Sequence, residues 1–235
     1  MDQALLAPAP ATPALIPLKG LRGSIARNMT AGWQAPRVAQ AVEVDMTRCL
    51  ALQASLQASS TSAGRITITP IVLRAVALAL RAHPALNACL REGGIERLPN
   101  VNLGLAVSLP DGLAVPVIRD ADAMSIAQLA DASRELASGT RAGTLSPKAY
   151  QGGTFTVTNL GMTGIDWFTP ILNPPQVGIL GLSRIAEQAV VRDGRIVPAP
   201  MSTLTLVFDH RAVDGYPAAL FLAEIRERLE SCEGL

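Results

Sequence analysis

Leu204-Thr205-Leu206-Val207-Phe208-Asp209-His210-Arg211-Ala212-Val213-Asp214-Gly215 is the stretch on which the reading of this chain turns. An apolar β-like run, Leu204 to Phe208, delivers one of only two histidines to a strand end. Asp214 follows four residues later, then Gly215, and a helix-like segment opens near Tyr216. Histidine has the unperturbed pKa nearest neutrality, so it can take and return a proton at working pH. On these residues alone, a general base on a tight turn and a solvated strand end both remain open.

Working outward, helices and strands mix without strict alternation, which predicts an α+β fold. Gly20 to Ala31 reads as a short helix and Val38 to Val44 as a strand. Asp45 is placed to cap a helix reaching about Ala58, and Ser59 to Gly64 reads as a loop. Thr69-Pro70 opens a helix to His83 that is apolar nearly all round and therefore buried. His83, just before Pro84, suits a cap or the surface. Val101 to Ser108 and Leu113 to Ile118 form a hairpin around Pro110-Asp111-Gly112. Ser125 to Leu136 is an amphipathic helix. Phe155 to Thr158 and Val177 to Leu182 are strands, and Val190 to Val197 turns back at Asp193-Gly194. Pro217 to Leu229 is the last helix. Residues 1 to 17 are Ala/Pro-rich and read as a linker, leaving residues 18 to 235 as one domain.

Composition narrows the function. The 235 residues carry a formal net charge of +1 and 3% aromatics, so neither a nucleic acid nor an anionic membrane surface is an expected partner. The longest apolar run, Ile71 to Leu80, contains Arg74 and is too short to span a bilayer. The N-terminus lacks the features of a signal peptide. Cys49, Cys89 and Cys232 are too scattered for a metal site or a disulfide framework, and read as reduced packing residues of a cytoplasmic protein; no metal is expected.

Further segments precede the histidine in a fixed order. They are Asp111-Gly112-Leu113-Ala114-Val115-Pro116-Val117-Ile118, Gly152-Gly153-Thr154-Phe155-Thr156-Val157-Thr158-Asn159-Leu160-Gly161, Trp167-Phe168-Thr169-Pro170, and Asn173-Pro174-Pro175-Gln176-Val177-Gly178-Ile179-Leu180-Gly181. Together with Asp209 to Gly215 they closely resemble the catalytic (acyltransferase) domain of the dihydrolipoamide acyltransferases, core components of the 2-oxo acid dehydrogenase complexes. The resemblance covers residues 18 to about 230. It implies a two-layer α+β domain with a mixed sheet, like chloramphenicol acetyltransferase, forming a homotrimer with active sites at subunit boundaries. It also implies acyl transfer between a dihydrolipoyl thiol and coenzyme A.

In that family pattern His210 matches the general base. Thr158 stands where a hydroxyl, usually serine, donates to the oxyanion. Asp214 matches a carboxylate, sometimes replaced by asparagine, that supports the loop, and Arg22 is its best-placed partner. Gly215 is expected to let the backbone turn beneath the histidine. Asp209 and Arg211 flank the base as structural residues. Arg37 departs from the histidine many relatives carry and suits either a coenzyme A phosphate or solvent.

No lipoyl-type Asp-Lys-Ala turn occurs in the sequence, so the lipoyl group is expected from another domain or chain, alongside 2-oxo acid dehydrogenase components. The larger cores of that family join trimers through an apolar C-terminal tail, so by resemblance the polar Arg226 to Leu235 end implies a trimer or a weakly built larger core. The competing readings are an acetyltransferase acting on a small alcohol and a non-catalytic scaffold of the same fold.

Overall fold

The computed structural model describes residues 15, 17–59, 65–110 and 112–235. Most of the linker expected over 1 to 17, most of the Ser59 to Gly64 loop, and Asp111 lie outside these residues. The elements run α1 (Gly20–Gln34), β1 (Arg37–Asp45), α2 (Thr47–Ser59), α3 (Ile68–Ala82), β2 (Ala88–Arg91), β3 (Gly94–Arg97), β4 (Leu103–Leu105), β5 (Val107–Leu109), β6 (Gly112–Ala114), β7 (Val117–Ile118), α4 (Ile126–Ala142), β8 (Phe155–Asn159), β9 (Gly178–Leu182), β10 (Ala186–Arg192), β11 (Arg195–Asp209) and α5 (Gly215–Ser231).

The main sheet has the order β1-β11-β9-β8-β4-β7, with β10 also on β11. The β4–β8 and β8–β9 pairs are parallel and the rest antiparallel. This is the α+β fold with a mixed sheet that the sequence predicts.

Register decides which face each residue serves, because side chains alternate along a strand. Leu206, Leu180, Val157 and Leu105 form one cross-strand row and all are buried. Their face packs with α3 and α5 into the main core, which includes Ile71, Leu73, Leu80, Phe155, Phe208 and Phe221. The opposite face carries a smaller cluster of Ala35, Leu172, Ile179 and Val207. A row of Thr205, Gly181 and Thr158 runs beside it.

The elements differ in places from the periodicity, each time for a local reason. The expected hairpin between 101 and 118 divides in two. Its tip, β5 with β6, is a separate sheet, while β4 and β7 join the main one. Pro116 has no N–H to continue the ladder, although its carbonyl still accepts from Leu105 N at 2.9 Å. Helix α4 runs past Leu136 to Ala142. It is opened by a reciprocal cap between Ser125 and Gln128 and closed by Gly143 at φ 67. The long β11 includes Pro198 and Pro200, which hide it from a strand pattern. Before Met201 it has only β10 as a partner, so its other side needs no donor. Asp45 ends β1, and its carboxylate accepts from the Thr47 N–H at 3.0 Å, so it caps the first turn of α2 as expected.

His83 lies at the C-terminal cap of α3, where its N–H donates to Ala79 O at 2.8 Å. Its ring also reaches α5. Nε2 is 2.7 Å from Glu224 Oε2, and Arg228 Nη2 donates to Glu224 Oε1 at 2.6 Å. Burial pushes the Glu224 carboxyl up, but the hydrogen bonds from Arg228 and His83 outweigh it and hold the carboxyl below its ordinary value of 4.5. A carboxyl depressed in the folded state contributes stability above its unfolded pKa and loses it as pH falls through the folded one. Glu224→Gln is therefore expected to cost about 1–3 kcal/mol at neutral pH. It should also flatten the loss of stability below about pH 4.5. Urea unfolding at pH 7 and pH 4 measures both effects.

Candidate active site

His210 stands just past the end of β11, and the strand's neighbours fix its position. Its N–H donates to Pro36 O at 2.9 Å, and the preceding Asp209 N–H donates to Val177 O at 2.9 Å. Asp209 is buried and frames the turn. Its carboxylate accepts from Arg211 N at 3.0 Å and from Arg211 Nη2 at 2.6 Å. Its carbonyl accepts from Ala212 and Val213. The Asp209 carboxylate in turn pushes the Arg211 guanidinium pKa up. Asp209 and Arg211 thus hold each other and the turn, and the imidazole is left half exposed against Phe208, 5.8 Å between ring centres.

Asp214 opens α5 and brings its Oδ1 to 3.7 Å from His210 Nδ1. That is ion-pair range and too long for a hydrogen bond. The Arg22 partner expected for Asp214 is not in contact with it: Arg22 is exposed on α1, and the side chain beside Asp214 is the imidazole of His210. Nor does Gly215 make the tight turn expected of it. It lies outside the positive-φ glycines, and an added Cβ would meet only Gln40 Nε2 at 3.6 Å. Its use is its carbonyl, which accepts from Gln40 Nε2 at 2.9 Å and ties α5 to β1. Arg37 is the register partner of Asp209 and belongs to the same end of the sheet. Its guanidinium stacks 3.4 Å from the Trp33 ring centre and donates to Trp33 O at 2.5 Å.

Thr158 is elsewhere. It faces Gly181, and Gly181 faces Thr205, which precedes His210 by five residues. Five strand residues at about 3.3 Å each and two strand spacings of about 4.8 Å put Thr158 roughly 19 Å from His210. One chain therefore brings His210 and Asp214 together and keeps Thr158 apart from both.

Past Thr158, β8 runs into a cleft of about 1220 Å³ whose lining does not include Thr158. The next residue builds its wall: Asn159 Oδ1 accepts from Gly161 N at 2.7 Å and Asn159 Nδ2 donates to Thr69 Oγ1 at 3.0 Å. Gly161 cannot carry a side chain there, since a Cβ would lie 2.8 Å from Ser183 O. Gly181 likewise gives its space to Phe168, whose ring an added Cβ would meet at 2.9 Å. The cleft is lined by Arg65, Arg134 and Arg141 and by the hydroxyl residues Ser133 and Ser183. Both serine Oγ atoms are buried without a hydrogen-bond partner. Buried orphan hydroxyls are uncommon. None of these cleft residues is legible in the motifs, because they come from the lead-in to α3, from α4 and from the end of β9. The helical arginines also read as an ordinary solvated face.

A family model for the 2-oxoacid dehydrogenases acyltransferase (catalytic domain) matches residues 10–235. The chain belongs to this family. It is 41% identical over 218 residues to the dihydrolipoyllysine-residue acetyltransferase component of the acetoin cleaving system of Bacillus subtilis. That alignment covers 92% of this chain and 55% of the relative, so the chain spans about half the length of that protein.

Among solved structures, a probable dihydrolipoamide acetyltransferase from Listeria monocytogenes superposes with a TM-score of 0.91 at 34% identity, over 96% of this chain and 99% of that one. The Azotobacter vinelandii dihydrolipoamide acetyltransferase superposes with a TM-score of 0.89 at 35% identity, over 97% and 98%. In that enzyme a serine, a histidine and an asparagine have been investigated for their role in the catalytic mechanism. Chloramphenicol acetyltransferase, at 14% identity and a TM-score of 0.52, shares the fold. The resemblance read from the motifs is borne out, and so is the fold it implies.

Proposed function

We propose that this chain is the catalytic core of a dihydrolipoamide acyltransferase, moving an acyl group between a dihydrolipoyl thiol and the thiol of coenzyme A. The carrying observation is one of spacing. The serine, histidine and asparagine investigated in the Azotobacter enzyme are separated by 52 and then 4 residues, as are Thr158, His210 and Asp214. This chain keeps a hydroxyl at the first position and a polar group at the last.

The separation of Thr158 from His210 supports an active site shared between subunits, in a homotrimer as the fold family implies. His210 and Asp214 of one chain then meet Thr158 of the next, and Arg37 accompanies His210. The imidazole tautomer with its proton on Nδ1, towards Asp214, leaves Nε2 as the base. His210 takes the proton of the coenzyme A thiol, and the thiolate attacks the carbonyl carbon of the acyl-dihydrolipoyl thioester. Thr158 Oγ1 donates to the oxyanion of the tetrahedral intermediate. Collapse breaks the bond to the dihydrolipoyl sulfur, which leaves with the proton from His210. A thiol near its ordinary pKa of about 8.5 is mostly protonated at neutral pH, which is why a base is needed.

The cleft at the Asn159 end of β8 suits coenzyme A, because its arginines match phosphate groups. Arg134 is paired with Asp131 at 2.8 Å, so Arg141 and Arg65 are the better phosphate ligands. Arg141→Ala is expected to raise the KM for coenzyme A roughly tenfold, the effect of about 1.4 kcal/mol, with kcat little changed. Steady-state kinetics with coenzyme A varied will measure it.

The lipoyl group arrives on a domain outside residues 18 to 235, and dehydrogenase components supply the acyl group. Among the described residues no helix is long and apolar enough to cross a membrane, and Cys49, Cys89 and Cys232 are free thiols. Both fit a reducing, cytoplasmic setting. Incubation with dihydrolipoamide and acetyl-coenzyme A tests the function. S-acetyldihydrolipoamide should form while chloramphenicol stays unmodified. Absence of thioester with acetyl, succinyl and branched-chain donors alike would refute the proposal.

A further inference from the structure

Cys49 and Cys232 have no part in acyl transfer, yet they meet across the fold. Their sulfurs lie 3.9 Å apart, although 183 positions separate them in the chain. Cys49 belongs to the body of α2 and is fully buried. Cys232 caps α5 at φ 57 and is only half-buried. Both thiols point at one acceptor, the Leu229 carbonyl, at 3.1 Å from Cys49 Sγ and 3.4 Å from Cys232 Sγ. The third cysteine, Cys89, sits on β2 opposite Gln176 and belongs to another part of the molecule.

We propose that Cys49 and Cys232 form an oxidisable pair, a modification site at which a low-molecular-weight disulfide closes a bridge between α2 and the end of α5. Closure asks the sulfurs to approach to about 2.05 Å. The movement falls on Cys232, which lies beyond the helical body of α5, while Cys49 is fixed within its helix.

The order of steps follows from access. Cys232 attacks one sulfur of R–S–S–R, and R–S⁻ leaves and takes up the Cys232 proton as R–SH. Cys49 then attacks the Cys232 sulfur of the mixed disulfide and expels the second R–SH, which carries away the Cys49 proton. Two protein thiols are oxidised and one small disulfide is reduced to two thiols. Burial pushes the Cys49 thiol pKa strongly upward, and the neighbouring Cys232 adds to this, so Cys49 resolves the mixed disulfide and does not start the exchange. The bridge encloses most of the described chain. It therefore restrains the unfolded state and protects the fold under oxidising conditions.

The test is to incubate the intact protein with oxidised glutathione and measure whole-protein mass, linked peptides and unfolding temperature. The expected product has lost two hydrogens and joins the Cys49 and Cys232 peptides. Its unfolding temperature rises by several degrees and returns on reduction. Cys232→Ser abolishes both changes, and Cys89→Ser leaves them intact. Three unmodified thiols, a glutathione adduct that never closes, or a bridge through Cys89 or between chains would each overturn the proposal.

Discussion

Replacing His210 with alanine is expected to reduce acyl transfer by about 10²–10⁴-fold, the usual contribution of a positioned base. The loss should appear in kcat, because the imidazole acts on the proton of a thiol already bound. Folding should survive. The imidazole is half exposed, and the backbone bond from His210 N to Pro36 O needs no side chain. The Asp209–Arg211 frame around the turn is also untouched. Raising the pH supplies thiolate without a base, so the deficit of the alanine variant should shrink towards pH 9. A variant with full activity at pH 7 would remove His210 from the chemistry and favour the scaffold reading.

Thr158→Val is expected to cost about 2.7–4 kcal/mol of transition-state stabilisation, or about 10²–10³ in kcat. Valine keeps the branched shape and the strand preference, so the half-buried position on β8 is preserved and only the donor is lost. KM values should change little, since the donor is needed chiefly when charge develops on the oxygen. Thr158→Ser should retain most of the activity, which separates a lost hydroxyl from a packing defect. An unchanged rate for the valine variant would assign the oxyanion to another donor.

Much of this fold is legible in the sequence because its signals are local. Alternation marks β1, an all-apolar face marks α3, and Asp193-Gly194, with φ of 51 and 73, marks the β10–β11 turn. The motif order around His210 locates the chemistry as well. What is not legible depends on the third dimension. The hairpin of β2 and β3 is short and β3 is exposed throughout, so no apolar rhythm betrays it. The network in which Asn28 donates to Asn173 and Thr156 to Gln176 joins residues 145 and 20 positions apart. The resemblance makes Arg22 the expected partner for Asp214, yet α1 leaves it exposed. The cleft at the Asn159 end of β8 gathers residues from five separate segments, so no single motif reveals it.

The central claim is that each active site is built from two chains, and subunit complementation tests it most directly. Chains carrying His210→Ala and chains carrying Thr158→Val are co-expressed with different tags, and the hybrid oligomers are isolated and assayed. Each hybrid contains interfaces where an intact His210 faces an intact Thr158. In a hybrid trimer one interface in three has this pairing, so roughly one third of the sites should work, far above either variant alone. Hybrids that stay as inactive as the two parent variants would contradict the shared site.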